Sequence, residues 1–330
     1  MPRPFDLITL GEAMIRLSPP SFQRLEQTTT LDLRIGGAEL NVAVAAARLG
    51  LKTAWLSKLP DNPLGRMTAN KAREQGVDVS RVIWTKGERM GLYFVEFGAQ
   101  PRASSVLYDR AGAAIASLRP GDFDWPAILS QTRLFHVSGI TPALSTSCAE
   151  ATLAAAKAAK EAGCVVSVDV NYRAKLWSEA EANRVMTALM AHTDILITTE
   201  EDTKKVYQIE AADYREVARE LQRRFSLKAV AITLRETPSV LRNTWSAFAL
   251  TGDRIYEAPS YEVEIVDRLG AGDSFTAGFL WGYLQNDIAK GVAYGTAFSA
   301  LKHSIPGDFH WGTLDEAEAL IKGAGLRIQR

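Results

Sequence analysis

The chain has 330 residues, of which 47% are hydrophobic, and this is enough for one large α/β core with a smaller appendage. Its 38 basic and 38 acidic residues cancel to a formal net charge of zero, which argues against a nucleic-acid partner or a membrane surface. We find no signal peptide and no apolar stretch long enough to span a bilayer, so the sequence predicts a cytoplasmic protein.

Two kinds of element are predicted in the first 110 residues. One set is typical of an α/β domain, with strands at Phe5–Leu10 and Thr53–Leu59 and helices at Ala38–Leu49 and Pro63–Gln75. The other consists of extended segments with little helix between them: Met14–Ser18, Leu31–Ile35, Gly91–Phe97 and Ser104–Asp109. We interpret these segments as a small β-sheet lid, inserted at about residues 12–36 and 90–110.

From Leu134 onward, strand and helix patterns alternate regularly. Strands are predicted at Leu134–Val137, Val165–Val170, Ile195–Thr198 and Ala229–Leu234. Helices are predicted at Ser145–Ala162, at Ser178–Ala191 and in segments up to about Phe225. This alternation is typical of a parallel sheet covered by helices on both faces. Because no repeat or low-complexity linker divides the chain, we predict a single domain over residues 1–330.

Neither the cysteines nor the histidines suggest a metal centre. Cys148 and Cys164 stand in apolar or alanine-rich surroundings, which favours buried free thiols. The four histidines show none of the spacings that metal ligands adopt.

A glycine-rich turn late in the chain carries the clearest functional signal. The apolar Ile265-Val266, which predicts a short strand, is followed by Gly270-Ala271-Gly272, by Asp273 and by an apolar helix. Two glycines permit close approach of the backbone to a ligand, and the unpaired N–H groups of a helix's first turn favour an anion. Asp273 could then accept the proton of an attacking hydroxyl, as phosphoryl transfer requires. On these residues alone, a tight turn with Asp273 as an ordinary helix cap is an equally open interpretation.

Two other nucleotide-binding motifs are excluded. Ser274-Phe275 follows Asp273, so the third glycine of Gly-x-Gly-x-x-Gly is missing, and the turn lies far from the first strand. The chain also has no Gly-x-x-x-x-Gly-Lys-Ser/Thr sequence, which excludes the P-loop kinases.

Three earlier motifs are candidates for substrate binding. Gly36-Gly37 precedes a helix, and the Asn41 amide needs a partner among its apolar neighbours. Tyr108-Asp109-Arg110 and Asn171-Tyr172-Arg173 follow strand signals, where α/β proteins bind ligands, and their arginines could hold a carboxylate. The alternatives are a turn with a helix cap at Gly36-Gly37 and solvated surface ion pairs for the arginines.

Taken together, these motifs resemble those of the ribokinase, or PfkB, family of sugar kinases. Gly36–Asn41 matches the family's early di-glycine motif, and Asp267–Asp273 matches its late Asp-x-x-Gly-Ala-Gly-Asp motif. The intervening chain closely resembles the 2-keto-3-deoxygluconate kinase branch, through stretches that include Leu59–Gly65, Arg89–Phe94, His136–Ser145, Asp169–Arg173 and Lys302–Asp308.

The resemblance implies a ribokinase-like fold, which is a three-layer α/β/α sandwich with a mainly parallel central sheet and a small β-sheet lid. It implies ATP and Mg²⁺, and transfer of the γ-phosphoryl group to the 6-hydroxyl of 2-keto-3-deoxygluconate, with Asp273 as general base and the Gly270–Asp273 backbone as anion hole. It assigns substrate binding to Gly36, Gly37, Asn41, Tyr93, Tyr108, Arg110, Ile140, Arg173 and Asp308. Nucleotide contacts are implied for Thr199, Thr233, Arg235, Gly270 and Gly272, and a metal contact through water for Asp202.

Two physical expectations accompany these assignments. Arg110 and Arg173 favour a sugar acid, because a neutral sugar offers no charge for two guanidinium groups. The dipole of the following helix should keep Asp273 ionised near neutral pH.

Two stretches depart from the family's pattern. Thr199-Glu200-Glu201-Asp202 stands where the family has Asn-x-x-Glu, so a carboxylate survives at Asp202. After the strand predicted to end at Leu234, Arg235-Glu236-Thr237-Pro238 replaces Gly-x-x-Gly, and glycine N–H donors for the nucleotide phosphates are lost. Arg235 either replaces these donors or obstructs the site.

Several alternatives stay open at this point. The protein could phosphorylate 2-keto-3-deoxygalactonate, fructose or another sugar, or it could be a non-catalytic relative that binds a sugar acid. The altered Arg235–Pro238 stretch motivates the last alternative, and the intact Gly270–Asp273 turn argues against it. Lid strands in this family often pair between subunits, so the resemblance also implies a homo-oligomer.

Overall fold

The computed structural model describes residues 3–323, so Met1, Pro2 and residues 324–330 of the predicted domain lie outside the described residues. In chain order the strands are β1 (Phe5–Leu10), β2 (Met14–Ser18), β3 (Asp32–Gly36), β4 (Thr53–Leu56), β5 (Lys58–Pro60), β6 (Ile83–Thr85), β7 (Gly91–Glu96), β8 (Ser105–Asp109), β9 (Thr132–Ser138), β10 (Val165–Asp169), β11 (Ile195–Thr199), β12 (Ala229–Ser239), β13 (Arg242–Thr251), β14 (Arg254–Glu257) and β15 (Tyr261–Glu264). The α-helices are α1 (Ala38–Arg48), α2 (Pro63–Glu74), α3 (Trp125–Leu129), α4 (Ile140–Ala143), α5 (Thr146–Glu161), α6 (Glu179–Met190), α7 (Glu200–Tyr207), α8 (Tyr214–Phe225), α9 (Ala271–Leu284), α10 (Ile288–His303) and α11 (Leu314–Ile321).

A large, mainly parallel sheet organises the fold. Its strand order is β14-β13-β12-β11-β10-β9-β1-β4, with β15 paired to β13. Six neighbouring strands of this sheet pair in parallel: β4, β1, β9, β10, β11 and β12. Strand β13 runs antiparallel to each of its neighbours. The register brings the ends of β10 and β11 level with the middle of β12, with Asp169 opposite Ile197 and Thr199 opposite Thr233. The predicted α/β class is confirmed.

Helices cover both faces of this sheet and produce three layers. Val168 and Leu196 pack into a core with α5, α6, α7 and α8 on one face. Leu134 and Ile197 face α1, α9 and α10 on the other. Strands buried on both faces read as apolar runs, which is why the sequence predicted them well. Each large apolar side chain buried in this way contributes about 1.5–3 kcal/mol.

The extended segments of the first 110 residues form a second sheet, here called the small sheet. Its strand order is β3-β2-β7-β8. Strand β2 pairs antiparallel with β3 and parallel with β7, and β7 pairs antiparallel with β8. Within this sheet, Met14, Tyr93 and Val95 form a small apolar cluster that is separate from the main core. The four segments therefore pair with one another, as the sequence predicted, and stand apart from the main sheet.

Two predicted strands have different boundaries in the structure. The strand predicted at Thr53–Leu59 breaks at Ser57, because β4 pairs with β1 whereas β5 leaves to pair with β6. Strand β12 continues past Leu234 to Ser239, because its polar extension pairs with β13 in a long hairpin. Because the residues of this extension are polar and exposed, an apolar pattern could not predict that it is a strand. Pro238 lies where the pairing register is irregular, so its missing N–H group breaks no hydrogen bond between the strands.

The prediction of a strand at Ile265-Val266 was wrong, because the nearest strand ends before these residues. Strand β15 ends at Glu264, and the segment from there to Gly270 is irregular. The backbone N–H groups of Val266 and Asp267 instead donate to the carbonyl oxygen of His303, at 2.8 and 3.0 Å. This contact ties the approach to the glycine turn to the end of α10.

Within residues 3–323, we find no helix that combines the length and the apolar character needed to cross a membrane.

Both cysteines are structural features of the core. Cys148 and Cys164 are free and buried, as predicted, and burial raises the pKa of both thiols. Such thiols are structural rather than reactive.

Candidate active site

The carboxyl ends of β10 and β11 and the middle of β12, at Thr233 and Arg235, meet the start of α9 around a cavity of about 350 Å³. We call it the Asp273 cavity. The predicted site residues that it brings together are Arg173, Thr199, Asp202, Thr233, Arg235, Gly270, Ala271, Gly272 and Asp273. Open α/β sheets bind ligands at this edge, beyond the carboxyl ends of the strands.

The first turn of α9 presents backbone donors to this cavity. Gly270 caps the helix with a φ of 82°, and a Cβ there would lie 2.0 Å from the carbonyl oxygen of Asp308, so only glycine is accommodated. In the described chain, no acceptor is found for the N–H groups of Gly272 and Asp273. A Cβ at Gly272 would meet no atom within 4 Å. The turn is thus open to an anion, whose charge the helix dipole favours.

Asp273 is buried at the base of this turn. Asn41 Nδ2 donates to its Oδ2 at 2.7 Å. Burial raises the pKa of Asp273 to about 7, while the Asn41 hydrogen bond lowers it and the Glu39 charge raises it. The expectation that the helix dipole keeps Asp273 ionised near neutral pH omitted burial and was wrong, because desolvation outweighs the dipole here. A carboxylate with a pKa near the working pH is well suited to act as a general base.

The partner that the sequence required for Asn41 is Asp273 itself. Asn41 lies in α1, and its Oδ1 also accepts from the N–H of Gly37 at 3.4 Å. Asn41 and Asp273 are 232 positions apart in the sequence and meet because α1 packs beside α9. No local pattern in the sequence could have identified this pair.

Both glycines of the early motif have an internal packing reason. A Cβ on Gly36 would lie 1.9 Å from Oδ1 of Asp308, and a Cβ on Gly37 would lie 2.0 Å from the carbonyl oxygen of Glu12. These close approaches seat the start of α1 against the strand ends. They place Asn41 where it reaches Asp273.

Carboxylates crowd the Asp273 cavity, whose acidic lining residues are Asp169, Glu201, Asp202 and Asp273. Burial, followed by the charges of Asp202 and Asp273, raises the pKa of Asp169 well above its usual value, and burial raises that of Asp202. Such a site fits a divalent cation that compensates the negative charge. Among residues 3–323, no group of three His, Cys, Asp or Glu side chains is arranged to hold a metal ion directly.

A second cavity, of about 930 Å³, adjoins the first. We call it the Tyr108 cavity, and its charged and aromatic lining residues are Tyr108, Asp109, Arg110, Tyr172, Arg173 and Lys175. Tyr172-Arg173-Ala174 lines both cavities. The chain turns into this segment at Asn171, whose φ of 40° is tolerated by asparagine better than by most residues. The two predicted arginine motifs therefore meet in space.

Arg110 does not offer a free charge to the Tyr108 cavity. Its guanidinium pairs with the carboxylate of Glu12, and both side chains are largely buried. Burial raises the pKa of Glu12, and Arg110 opposes that shift. Arg173 donates to the carbonyl oxygen of Tyr172 at 2.9 Å and forms no ion pair with a described carboxylate. Of the two predicted arginines, Arg173 is the better placed to bind a ligand's negative charge.

Six predicted substrate residues line neither cavity: Gly36, Gly37, Asn41, Tyr93, Ile140 and Asp308. Tyr93 donates to Asp308, which also pairs with Arg16 at 2.5 Å in a buried network. Ile140 is half-buried at the start of α4, and its N–H donates to Ser138 Oγ at 3.2 Å. The network around Asp308 lies directly behind the Gly270 turn.

Several residues that line the Asp273 cavity were not predicted from the sequence. Asn243 and Trp245 belong to β13, which carries no motif and reaches the cavity only through its hairpin with β12. Arg268 and Asp169 stand inside motifs that the sequence did reveal. Their positions, before the glycine turn and at a strand end, were signals that could have found them.

The arrangement combines an anion site, a base and an adjoining compartment. An anionic group held by the first turn of α9 would lie beside the Asp273 carboxylate. A hydroxyl presented from the Tyr108 cavity could then lose its proton to Asp273 as it attacks that group. The geometry suits group transfer to an alcohol.

Known proteins share this architecture. The pfkB family carbohydrate kinase profile matches residues 5–308. A 2-dehydro-3-deoxygalactonokinase of Haloferax volcanii is 40% identical over 326 residues, covering 98% of this chain and 99% of the relative. A 5-dehydro-2-deoxygluconokinase of Shouchella clausii is 32% identical, covering 96% of each. The crystal structure of a 2-dehydro-3-deoxygluconokinase from Thermotoga maritima has a TM-score of 0.94 and 42% identity, covering 98% of this chain and 99% of the other. The resemblance seen in the sequence is confirmed, and the chain belongs to the pfkB family of carbohydrate kinases.

Proposed function

We propose that the protein transfers the γ-phosphoryl group of ATP to the 6-hydroxyl of 2-keto-3-deoxygluconate. The observation that carries the proposal is the buried Asp273 carboxylate, with its pKa of about 7, at the anion-binding start of α9. Family membership supplies the reaction class. The cavity shared by Tyr108 and Arg173 supports an acidic acceptor.

In this reaction the nucleotide occupies the Asp273 cavity and the sugar acid occupies the Tyr108 cavity. Asp273 accepts the proton of the attacking hydroxyl, and Asn41 holds the carboxylate in place through the 2.7 Å hydrogen bond. The hydroxyl oxygen bonds to the γ-phosphorus as the bond to the β,γ-bridging oxygen breaks, and ADP leaves. The N–H groups of Gly272 and Asp273 donate to the oxygens of the transferring group.

Cations around the nucleotide phosphates complete the proposed site. Asp169 and Asp202 would hold Mg²⁺ through its waters, and the bound ion neutralises phosphate charge. Arg235 and Arg268 line the same cavity, whereas Glu236, Thr237 and Pro238 do not. This supports a role for the Arg235 guanidinium in place of the glycine donors, rather than as an obstruction of the site.

The charges of the Tyr108 cavity favour a sugar acid. Because Glu12 neutralises Arg110, the cations that can face a substrate carboxylate are Arg173 and Lys175. Lys175 Nζ lies 5.8 Å from the ring centroid of Tyr108. A neutral hexose would leave these charges unmatched.

2-Keto-3-deoxygalactonate is a second candidate substrate, and the similarity to the Haloferax volcanii relative favours it. The two acids differ only in the orientation of one hydroxyl. Both would present the same carboxylate to Arg173 and the same terminal hydroxyl to Asp273, so the proposed mechanism is shared.

A coupled ADP-release assay with Mg²⁺-ATP tests the proposal, comparing the two 2-keto-3-deoxy acids, 5-dehydro-2-deoxygluconate, fructose and ribose. We expect the highest kcat/KM with 2-keto-3-deoxygluconate. Asp273→Asn should reduce turnover at least about a hundredfold and leave calorimetric binding of the acid nearly intact. Turnover confined to a neutral sugar would contradict the substrate assignment, and binding of the acid without ADP release would indicate a non-catalytic relative.

Arg173→Ala tests the carboxylate contact. We expect KM for the acid to rise about tenfold or more with a smaller change in kcat, since a charge-assisted contact is lost from binding. Lys175→Ala, at the other cation of the cavity, is measured beside it. An unchanged KM in the Arg173 variant would remove this residue from substrate binding.

A further inference from the structure

A fully buried lysine lies directly behind the Gly270–Asp273 turn. Lys302, in the last turn of α10, is 0% exposed, and lysine is almost never so buried unless its charge is paired. Its Cε lies 3.4 Å from the position that a Cβ on Gly270 would take. The proposed mechanism gives this ammonium group no role, although its side chain packs against Gly270, the first residue of the anion site.

Backbone carbonyl oxygens from two loops bind the ammonium group. Lys302 Nζ donates to the carbonyl oxygen of Ile305 at 2.8 Å and to that of Asp267 at 3.4 Å. The loop at Asp267 leads into Gly270, and the loop after Ile305 contains Asp308, whose carbonyl oxygen packs against Gly270. Carbonyl oxygens around a dehydrated monovalent charge are also the surroundings that proteins provide for a bound K⁺ ion.

Lys302 balances the charge beneath the turn. Arg16 pairs with Asp267 at 2.7 Å and with Asp308 at 2.5 Å, and all three side chains are buried. Two carboxylates against one guanidinium leave one negative charge, which the ammonium of Lys302 cancels. Without that ammonium, an excess negative charge would lie behind a turn that must attract a phosphate group.

We propose that Lys302 is a positioning residue whose ammonium acts as a permanently attached monovalent cation for the anion hole. It joins the loop at Asp267 to the loop at Ile305, keeps the Gly270 turn in its anion-binding shape and supplies positive charge behind it. The proposal deepens, and rests on, the kinase function proposed above. Phosphoryl transfer should then need no free K⁺, because the ammonium group already binds the carbonyl oxygens of Asp267 and Ile305 beneath the turn.

The first test uses the unaltered protein. Turnover with Mg²⁺-ATP and the sugar acid, and calorimetric affinity for Mg²⁺-ADP, are measured in tetramethylammonium, Na⁺, K⁺ and NH₄⁺ salts of equal ionic strength. We expect kcat and Kd to change less than about twofold between these cations. A tenfold or greater dependence of either quantity on K⁺, by order of magnitude, would overturn the proposal.

Lys302→Met keeps the length of the side chain and removes its charge. We expect kcat to fall about 10- to 100-fold and the affinity for Mg²⁺-ADP to weaken, with KM for the sugar acid changed less than about threefold. Lys157→Met, on the exposed face of α5, is the matched control and should behave as the unaltered protein. A folded Lys302→Met protein with normal kcat would overturn the proposal.

Lys302→Ala separates a cation's role from a packing role. The shortened side chain leaves space among the same carbonyl oxygens, so NH₄⁺ or K⁺ should restore activity about fivefold or more over tetramethylammonium. Recovery that is equal in all salts would contradict the proposal. If both variants fail to fold by circular dichroism, the cation series on the unaltered protein decides. A protein with cation-independent Mg²⁺-ADP binding that phosphorylates no sugar acid would refute the proposed function and support this inference.

Discussion

At Asp273, two influences on a single carboxyl group oppose each other. The start of α9 favours its negative charge, whereas burial and the nearby Glu39 carboxylate disfavour that charge. Burial has the larger effect and brings the pKa to about 7. The result is a group that can take a proton from a hydroxyl and release it again near neutral pH.

This pKa predicts how activity depends on pH. Because the base must be deprotonated, kcat/KM should fall about tenfold per pH unit below pH 7 and level off above it. The coupled assay between pH 5 and pH 9 measures the profile, with checks that the protein stays folded at each pH. A profile that stays flat down to pH 5 would contradict a base with this pKa.

The same pKa predicts a stability effect of Asp273→Asn. The pKa is raised from 3.8 to about 7 in the folded protein, so the stabilising contribution is complete below the lower value and is lost as the pH rises through the upper one. At high pH the unaltered protein carries a costly buried charge that asparagine removes. We expect the variant to be more stable by about 1–3 kcal/mol near pH 8.5, and by less near pH 5.

Urea unfolding of both proteins at the two pH values measures this difference in the free energy of unfolding. Asp253→Asn, in the exposed turn between β13 and β14, is the control and should show little effect at either pH. A variant at position 273 that is less stable at high pH than at low pH, relative to the unaltered protein, would show that the folded state prefers the charged form.

At the scale of the element, β12 shows how pairing overrides local pattern. Its end from Arg235 to Ser239 is polar and contains a proline, yet it is a strand because β13 pairs alongside it. The hairpin keeps Arg235 at the Asp273 cavity and holds Pro238 away from it. The hairpin thus presents one guanidinium to the cavity from a paired strand.

Arg235→Ala tests this exchange. If Arg235 binds the nucleotide phosphates, KM for ATP should rise about fivefold to twentyfold, with KM for the sugar acid unchanged within about twofold. Arg219→Ala, exposed on α8, is the matched control. A lower KM for ATP in the Arg235 variant would mean that this side chain obstructs the site.

At the scale of the whole molecule, the small sheet has exposed apolar residues on both edge strands. Leu33 of β3 is 41% exposed and Leu107 of β8 is 60% exposed. Unpaired edges with apolar side chains are prone to associate with another chain. We therefore expect a homodimer formed through the small sheet.

Light scattering after size exclusion should give twice the chain mass of 36.1 kDa. The double variant Leu33→Glu/Leu107→Glu should elute as a monomer, because it places charges on both edges. Leu64→Glu, at an equally exposed leucine of α2 outside the small sheet, should remain a dimer. A monomeric unaltered protein would contradict this assembly.

Local sequence was sufficient for the features that depend on local chemistry. Apolar runs identified the parallel strands, and alternating segments identified the small sheet. Gly270–Asp273 identified the glycine turn that opens α9, because side-chain period and glycine conformation depend on neighbouring residues. Local sequence could not predict three other features: the Asn41–Asp273 contact, the neutralisation of Arg110 by Glu12 and the burial of Lys302. They depend on which distant segments pack together and on how much water that packing removes, and both follow from the arrangement of the helices and sheets rather than from neighbouring residues.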